Sequence, residues 1–245
     1  MKRTKHFAPF GIKIYRNKLH LAIALSLVIL PFLFVAFVLP LSAADKQLFL
    51  YELIMSFLRL LAAYIISAVL ALALAILFSR GKIGNIFLPI FDVLQSFPTF
   101  AMLPLAVYWL GPGNITVILF LVITIIWPML FAIISSQKII REDWEEAATI
   151  YGATGWKRLI YFALPISYPG FITGSIVGLG EGWEALVGSE IIVGLNGGLG
   201  EFFNSNGTNG RIVIFGVLAL LLFIFALNKL LWLPLLEKSH KSLTE

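Results

Sequence analysis

The apolar residues of this 245-residue chain are grouped into long runs separated by short polar segments. Six of these runs reach the roughly 20 residues that an α-helix needs to cross the hydrocarbon core of a bilayer. They lie at about residues 21–41, 53–78, 86–110, 114–134, 171–193 and 212–233. The pattern predicts an all-α polytopic membrane protein with six transmembrane helices in one permease domain, residues 1–245.

Two of the six runs are less regular than the others. The first, from Leu21 to Leu41, follows basic residues as a signal peptide does, but it is longer than the 7–15 residues usual for a signal core. We interpret it as a retained first span, with a signal peptide as the alternative. The third run contains polar residues and three prolines: Pro89, Asp92, Gln95, Pro98 and Pro104. We expect its start to lie along the membrane interface before the chain turns inward.

Basic residues are distributed unevenly among the connecting segments. The N-terminal tail, the segments that follow the second, fourth and sixth runs, and Lys229 at the end of the sixth run together supply fifteen Lys and Arg residues, whereas the alternate segments hold only Lys46 and Arg211. Arg59 falls within the second run. By the positive-inside rule, both termini and the segment 135–170 are predicted to face the cytoplasm.

Composition supports this membrane assignment. Hydrophobic residues make up 60% of the chain and charged residues 13%, against about 45–50% and about 25% in soluble domains. The net charge of +5 comes from short connecting segments and not from a continuous patch, so we expect a lipid bilayer and no nucleic acid as surroundings. The absence of cysteine excludes thiolate metal sites, and the spacing of His6, His20 and His240 predicts no metal site.

The segment 135–170 reads as two short helices separated by a glycine. Asp143 is predicted to cap the first helix, with Glu146 three residues later. Gly152 suits the left-handed conformation that ends a helix. Thr154 is then predicted to cap a second helix. Pro165 is expected to close that helix before the fifth span.

The string EEAATIYGATGWKRLIYFALP within this segment resembles the EAA loop of ABC importer permeases. The matching residues are Glu146, Ala147, Ala148, Gly152, Leu164 and Pro165. Phe162 departs from the isoleucine usual in the family. The resemblance implies that this segment is a coupling helix that docks into a groove of a cytoplasmic ATPase subunit. An amphipathic helix resting on the membrane surface is the simpler alternative.

Two further stretches resemble the nitrate, sulfonate and taurine branch of these permeases: DVLQSFPTFAMLPLAVYWLGPG and GWEALVGSEIIVGLNGGLG. The resemblance implies a prokaryotic inner membrane location and three kinds of partner. They are two ATPase subunits, a second permease copy as a homodimer, and an extracytoplasmic solute-binding protein. No GxxxxGK[ST] string is present, so we expect no catalytic residue and no cofactor in this chain, with ATP-Mg in the partner ATPase.

The fifth run carries small residues and carboxylates. Three glycines recur at every fourth residue and predict close helix packing: Gly174, Gly178 and Gly182. On a helical projection Glu181 falls near the same seam, and both Glu181 and Glu184 lie near the middle of the span. Either they line the translocation path, or they form a buried ion pair with Arg59.

Two predictions concern the end of this run. Glu190 matches a glutamate of the family pattern near the outer surface, where a structural or gating role is expected. The glycine-rich segment 194–211 is expected to be flexible and to face outward, either meeting the binding protein or serving as a connector.

Two other classes of function compete with the importer. A secondary transporter would contain inverted repeats or paired broken helices, and the sequence has neither signal. An intramembrane enzyme would need clustered His, Asp or Ser near one face, and only the glutamates of the fifth run come close. The substrate stays open among sulfonates, nitrate, taurine, thiamine precursors and others. The carboxylates within the spans do not resemble an anion path.

Overall fold

The computed structural model describes residue 26 and residues 29–31, 33–38, 42–78, 81–139, 142–232 and 234–236. The first predicted span therefore lies largely outside the described residues, which include only a shorter apolar helix, Ile29–Val38. The three histidines and most of the basic residues that predict the orientation also lie outside them. The orientation of the chain accordingly stays a prediction.

Every regular element among the described residues is helical, so the all-α class is confirmed. The α-helices after residue 42 are α1 (Ala43–Phe78), α2 (Gly81–Gln95), α3 (Thr99–Leu110), α4 (Asn114–Lys138), α5 (Glu142–Ile150), α6 (Gly155–Arg158), α7 (Leu164–Val193), α8 (Leu199–Ser205) and α9 (Gly210–Leu227). A π-helical turn, Leu159–Ala163, joins α6 to α7, and another, Asn228–Trp232, extends α9.

Four of the described helical stretches are long and apolar enough to cross a membrane. They are Asp45–Phe78, Asn114–Lys138, Gly155–Val193 and Gly210–Leu236. The bent pair formed by α2 and α3 makes a fifth if it is counted as one span. A multi-pass membrane protein is therefore supported, and the number six stays a prediction.

The third predicted span is two helices and not one. Ile83–Gln95 and Thr99–Leu110 meet at an angle of 84°. Pro98 disfavours helical geometry in the residue before it, so the first helix ends before this point. The Ser96 hydroxyl donates to the Asp92 carbonyl at 2.8 Å and satisfies one of the groups that the break frees. The predicted change of direction is thus found next to Pro98.

Helix α1 begins ten residues earlier than the predicted second span. The Ser42 hydroxyl accepts a hydrogen bond from the backbone N–H of Asp45 at 3.2 Å, which is the geometry of an N-terminal cap. Glu52 interrupts the apolar run in the sequence, yet it lies inside the helix and is buried. The helix therefore begins before the predicted span, and the bounds of the span itself stay a prediction.

Helices α6 and α7 form one continuous stretch, Gly155–Val193, of 39 residues. The predicted helix end at Pro165 is therefore wrong. Proline is tolerated there because it falls in the first turn of α7, directly after the π-helical turn, where the hydrogen-bond ladder already changes register.

Helix α4 lies at the centre of the described bundle, with Leu121, Ile125 and Met129 fully buried. The three glycines predicted to pack helices all lie at buried contacts of α7. A Cβ atom on Gly174 would lie 2.6 Å from the Met129 Cα, and one on Gly182 would lie 2.9 Å from the Leu60 side chain. Only glycine allows α7 to approach its neighbours this closely.

Candidate functional site

The EAA loop (residues 135–170) contains a helix end that depends on glycine. Gly152 has a φ of 75°, in the left-handed region, and its Cβ position is open space. The backbone N–H of Ala153 donates to the Ala148 carbonyl at 2.9 Å, so the last carbonyls of α5 are satisfied as in a Schellman motif. The predicted helix end is confirmed, and it needs glycine for its backbone conformation.

The predicted caps in this loop are less accurate. Helix α5 begins at Glu142, so Asp143 lies in its first turn and not at its cap. An acidic residue there still stabilises the positive end of the helix dipole. Thr154 does occupy the N-terminal cap of α6, but its side chain makes no capping hydrogen bond.

The loop folds against the start of α7 and leaves a groove of about 370 Å³ between them. Its walls are mainly apolar and include Trp144, Ala147, Ala148, Tyr161, Phe162 and Pro165. Arg158 of α6 forms an ion pair with Glu145 of α5 at 3.2 Å and lies 5.7 Å from the Phe162 ring centre. Glu146 is exposed and Leu164 is half-buried.

Large apolar side chains project from the same loop. Ile150 is 83% exposed, Tyr151 89%, Trp156 72% and Tyr161 77%. A cluster of exposed apolar side chains of this kind is typical of a surface that contacts a partner protein or a membrane. The EAA loop therefore offers a contact surface that the described part of the chain leaves uncovered.

Two carboxylates lie on the exposed face of α7. Glu181 and Glu184 are both exposed, together with Thr173, Val177 and Gly180. Glu181 therefore does not lie inside the glycine seam, although the helical projection places it nearby. Exposed carboxylates in a spanning helix are costly against lipid, so this face is expected to border water or a polar surface.

The opposite side of α7 packs within the bundle. Trp183 is buried, stacks on Phe57 with ring centres 6.3 Å apart, and meets Phe223 edge-on at 5.9 Å. Trp183 therefore lies between α1 and α9.

Arg59 pairs with Glu190 and not with Glu184. Its Nη1 lies 2.6 Å from Glu190 Oε1, and the two residues are 9% and 1% exposed. Arg59 also donates from Nε to Asn114 Oδ1 at 2.8 Å and from Nη1 to the Gly197 carbonyl at 2.9 Å. The predicted pair of Arg59 with Glu184 was wrong in its partner.

The same ion pair holds the chain segment after α7, residues 194–205, which we call the strap. Ser56 donates to both carboxylate oxygens of Glu190 at 2.8 Å and accepts from the Leu199 N–H at 2.7 Å. The Gly200 N–H donates to Glu190 Oε2 at 2.9 Å, and the Gly198 N–H donates to Glu52. We call Glu52, Ser56, Arg59, Asn114 and Glu190 the polar node.

The strap is fixed, in contrast to the flexible segment that its glycines predicted. Leu195, Leu199 and Phe202 are buried, and the Phe202 ring meets Phe49 with centres 4.7 Å apart. Gly198 has a φ of 120°, and a Cβ atom on it would collide with Arg59. The strap thus needs glycine both for its conformation and for its contact with the node.

Sequence reasoning missed three members of the node: Glu52, Ser56 and Asn114. A signal for two of them was present, because Glu52, Ser56 and Arg59 follow the i, i+4, i+7 spacing that places residues on one face of a helix. Three polar residues on one face of an apolar span indicate a buried polar contact. Asn114 gave no such signal, since it lies next to a glycine-rich turn.

Comparison with known proteins identifies the family of this chain. Residues 63–232 match the family described as binding-protein-dependent transport system inner membrane component. The chain is 30% identical over 177 residues to the taurine transport system permease protein TauC of Escherichia coli, covering 66% of this chain and 64% of the relative. It is 28% identical over 178 residues to the nitrate import permease protein NrtB of Leptolyngbya laminosa, covering 71% and 63%.

A third relative is the bicarbonate transport system permease protein CmpB of Synechococcus elongatus, 27% identical over 159 residues. That match covers 64% of this chain and 57% of the relative, so the chain spans about three fifths of the length of these proteins. The resemblance to the nitrate, sulfonate and taurine branch is confirmed. The chain belongs to the family of inner membrane components of binding-protein-dependent transport systems.

Proposed function

We propose that this chain is the membrane-spanning subunit of an ATP-driven importer and that its EAA loop docks on a separate cytoplasmic ATPase subunit. The uncovered apolar side chains of that loop support the proposal, because a cluster of this kind is typical of a surface that contacts a partner protein. Two ATPase subunits, a second permease copy and a solute-binding protein complete the proposed assembly. Both termini then lie in the cytoplasm, with six spans between them.

The observation that carries the proposal is the continuity of Gly155–Val193. This helical stretch joins the EAA loop to the intramembrane face that bears Glu181 and Glu184. A displacement of the loop by an ATPase subunit is therefore passed directly to that face. In the proposed dimer the face lines the translocation path, where water and the second copy replace lipid around the two carboxylates.

The transported solute is proposed to be small and polar. The relatives are named for taurine, nitrate and bicarbonate, which are small polar molecules or ions. The proposed path face presents two carboxylates, so selectivity for one solute is assigned to the binding protein and not to this face.

A secondary transporter is the alternative proposal. The 84° break between α2 and α3 is the one broken helix pair found among the described residues. Transporters of that class place their site between paired broken helices of two repeats, and a single break does not supply this arrangement. The importer therefore explains more of the described chain.

The test is co-purification and uptake. Glu146→Lys or Ile150→Asp should leave the chain in the membrane but release the ATPase subunit and abolish ATP-driven uptake in vesicles, since both residues are exposed on the EAA loop. Thr208→Asp, an exposed position beyond the strap, is the matched control for ATPase association. Normal ATPase association and uptake in both loop variants, or uptake without ATP, would rule out the proposal.

A further inference from the structure

The polar node contains a buried ion pair within a membrane-spanning segment, where charged side chains are rare. Arg59 lies in an apolar spanning helix, and an apolar pair of similar volume would stabilise a buried contact as well or better. Ionisable residues within a span usually mark a functional element. The charged side chains of the node form hydrogen bonds with the strap backbone, which apolar side chains cannot do.

Four consecutive strap residues are held through their main chain. Arg59 donates to the Gly197 carbonyl, and Glu52 accepts from the Gly198 N–H. Ser56 accepts from the Leu199 N–H, and Glu190 accepts from the Gly200 N–H. Three of these four side chains lie on α1 and the fourth lies near the end of α7. Asn114 adds the first residue of α4 to the same set.

This arrangement ties the strap to residues 52–59 of α1, to the start of α4 and to the end of α7. Rotation of α7 against α1 would separate Glu190 from Arg59 and Ser56, which are 2.6 Å and 2.8 Å away, and would release the strap at the same time. The buried Phe202–Phe49 contact lies in the same unit. The strap therefore either moves together with α1, α4 and α7 or loses its hydrogen bonds to all three helices.

We propose that Arg59 and Glu190 are positioning residues of a latch that locks the strap, residues 52–59 of α1, the first residue of α4 and the end of α7 into one rigid unit. The role in transport rests on the proposed function. A displacement of the EAA loop moves α7, and the strap moves with α7 because the hydrogen bonds of the latch stay intact. The strap then presents a fixed surface on the side where the binding protein is proposed to arrive.

The first experiment measures the lock itself in the purified chain, without an ATPase. Glu190→Gln should speed hydrogen exchange of the amides of residues 197–200 at least tenfold more than it speeds exchange of the amides of the glycine seam at residues 174–182. Glu145→Gln, which removes the carboxylate of the exposed ion pair with Arg158, should change neither region. Unchanged exchange of the strap in Glu190→Gln would overturn the latch.

A milder variant covers the case in which Glu190→Gln does not fold. Ser56→Ala removes one strap bond and keeps the ion pair, so exchange at Leu199 should rise about threefold and exchange at the seam should not change. Equal exchange in Ser56→Ala and the native chain would also overturn the latch.

The second experiment measures the role in coupling, in the complete transporter reconstituted in nanodiscs. The ratio of ATP hydrolysis with binding protein to hydrolysis without it should fall at least fivefold in Glu190→Gln relative to the native chain. An unchanged ratio in Glu190→Gln would overturn the coupling role. A native chain that fails to bind any ATPase would overturn the proposed function and the coupling role together, whereas the exchange experiment would still decide the lock.

Discussion

The two ends of the long helical stretch Gly155–Val193 are built in opposite ways. The EAA loop at its start carries exposed apolar side chains, and its one described ion pair, Arg158 with Glu145, is partly exposed. The polar node at its end buries two carboxylates and an arginine and hydrogen-bonds them to backbone groups. One end is therefore suited to bind and release a partner, and the other is suited to stay closed.

The largest expected effect concerns the ion pair at the node. Arg59→Met or Glu190→Gln alone should lower the free energy of unfolding by about 3–5 kcal/mol, because each leaves a buried charge without its partner. The double variant should recover much of that loss, as measured by thermal unfolding in detergent. A matched cycle on Arg59 and Glu184 should give a coupling energy near zero, and strong coupling there would contradict the structure.

A smaller effect separates two glycines with positive φ. Gly198→Ala should lower stability by about 2 kcal/mol or more, since it adds a steric collision with Arg59 to backbone strain. Gly152→Ala meets open space and should lower it by only about 1 kcal/mol from strain alone. Chemical unfolding of both variants checks the order, and equal losses would mean that the strap does not lie against Arg59.

The exposed ion pair of the EAA loop should contribute less again. Glu145→Gln is expected to change stability by at most about 1 kcal/mol, and raising the salt concentration should reduce the difference, because exposed pairs are screened by water and ions. Unfolding measured at low and high salt tests this expectation. A loss as large as that of Glu190→Gln would remove the contrast between the two ends.

Glu181→Gln and Glu184→Gln should each change the free energy of unfolding by no more than about 0.5 kcal/mol, because both carboxylates are exposed. Glu181→Gln and Glu184→Gln are nevertheless expected to alter uptake if they line the path. Uptake in vesicles, normalised to the amount of assembled transporter, is the measurement. Native uptake in both variants would remove the carboxylates from the path.

The orientation of the two ends can be tested without any expected effect on stability. Single cysteines at Tyr151 and Thr208, both exposed positions in a chain that lacks cysteine, should differ in labelling. An impermeant thiol reagent added to intact cells should label only the Thr208 position. Labelling of the Tyr151 position alone would reverse the proposed orientation.

Sequence reasoning found the features that side-chain type reveals. Long apolar runs identified the spanning helices, the spacing of Gly174, Gly178 and Gly182 indicated a close helix contact, and Gly152 marked a helix end. The start of α1 was missed because Glu52 broke the apolar run, although its carboxylate is satisfied by the backbone of a distant loop.

The partner of Arg59 could not be found from depth alone. Glu184 and Glu190 both lie on α7, and the choice between them depends on how the strap returns to α1. Most of that return is made through backbone N–H and carbonyl groups, which every residue but proline carries and which leave no mark in a sequence. The fixed strap was therefore read as a flexible glycine-rich loop.

The length of Gly155–Val193 determines how far its two ends move when the helix tilts. At 1.5 Å per residue its 39 residues extend about 58 Å, nearly twice the roughly 30 Å hydrocarbon thickness. Tilting such a rod about its midpoint by only about 10° shifts each end by about 5 Å, close to one helical turn. The π-helical turn at Leu159–Ala163 lies near the start of this helical stretch. Its hydrogen-bond pattern is irregular, so any bend of the stretch is expected there.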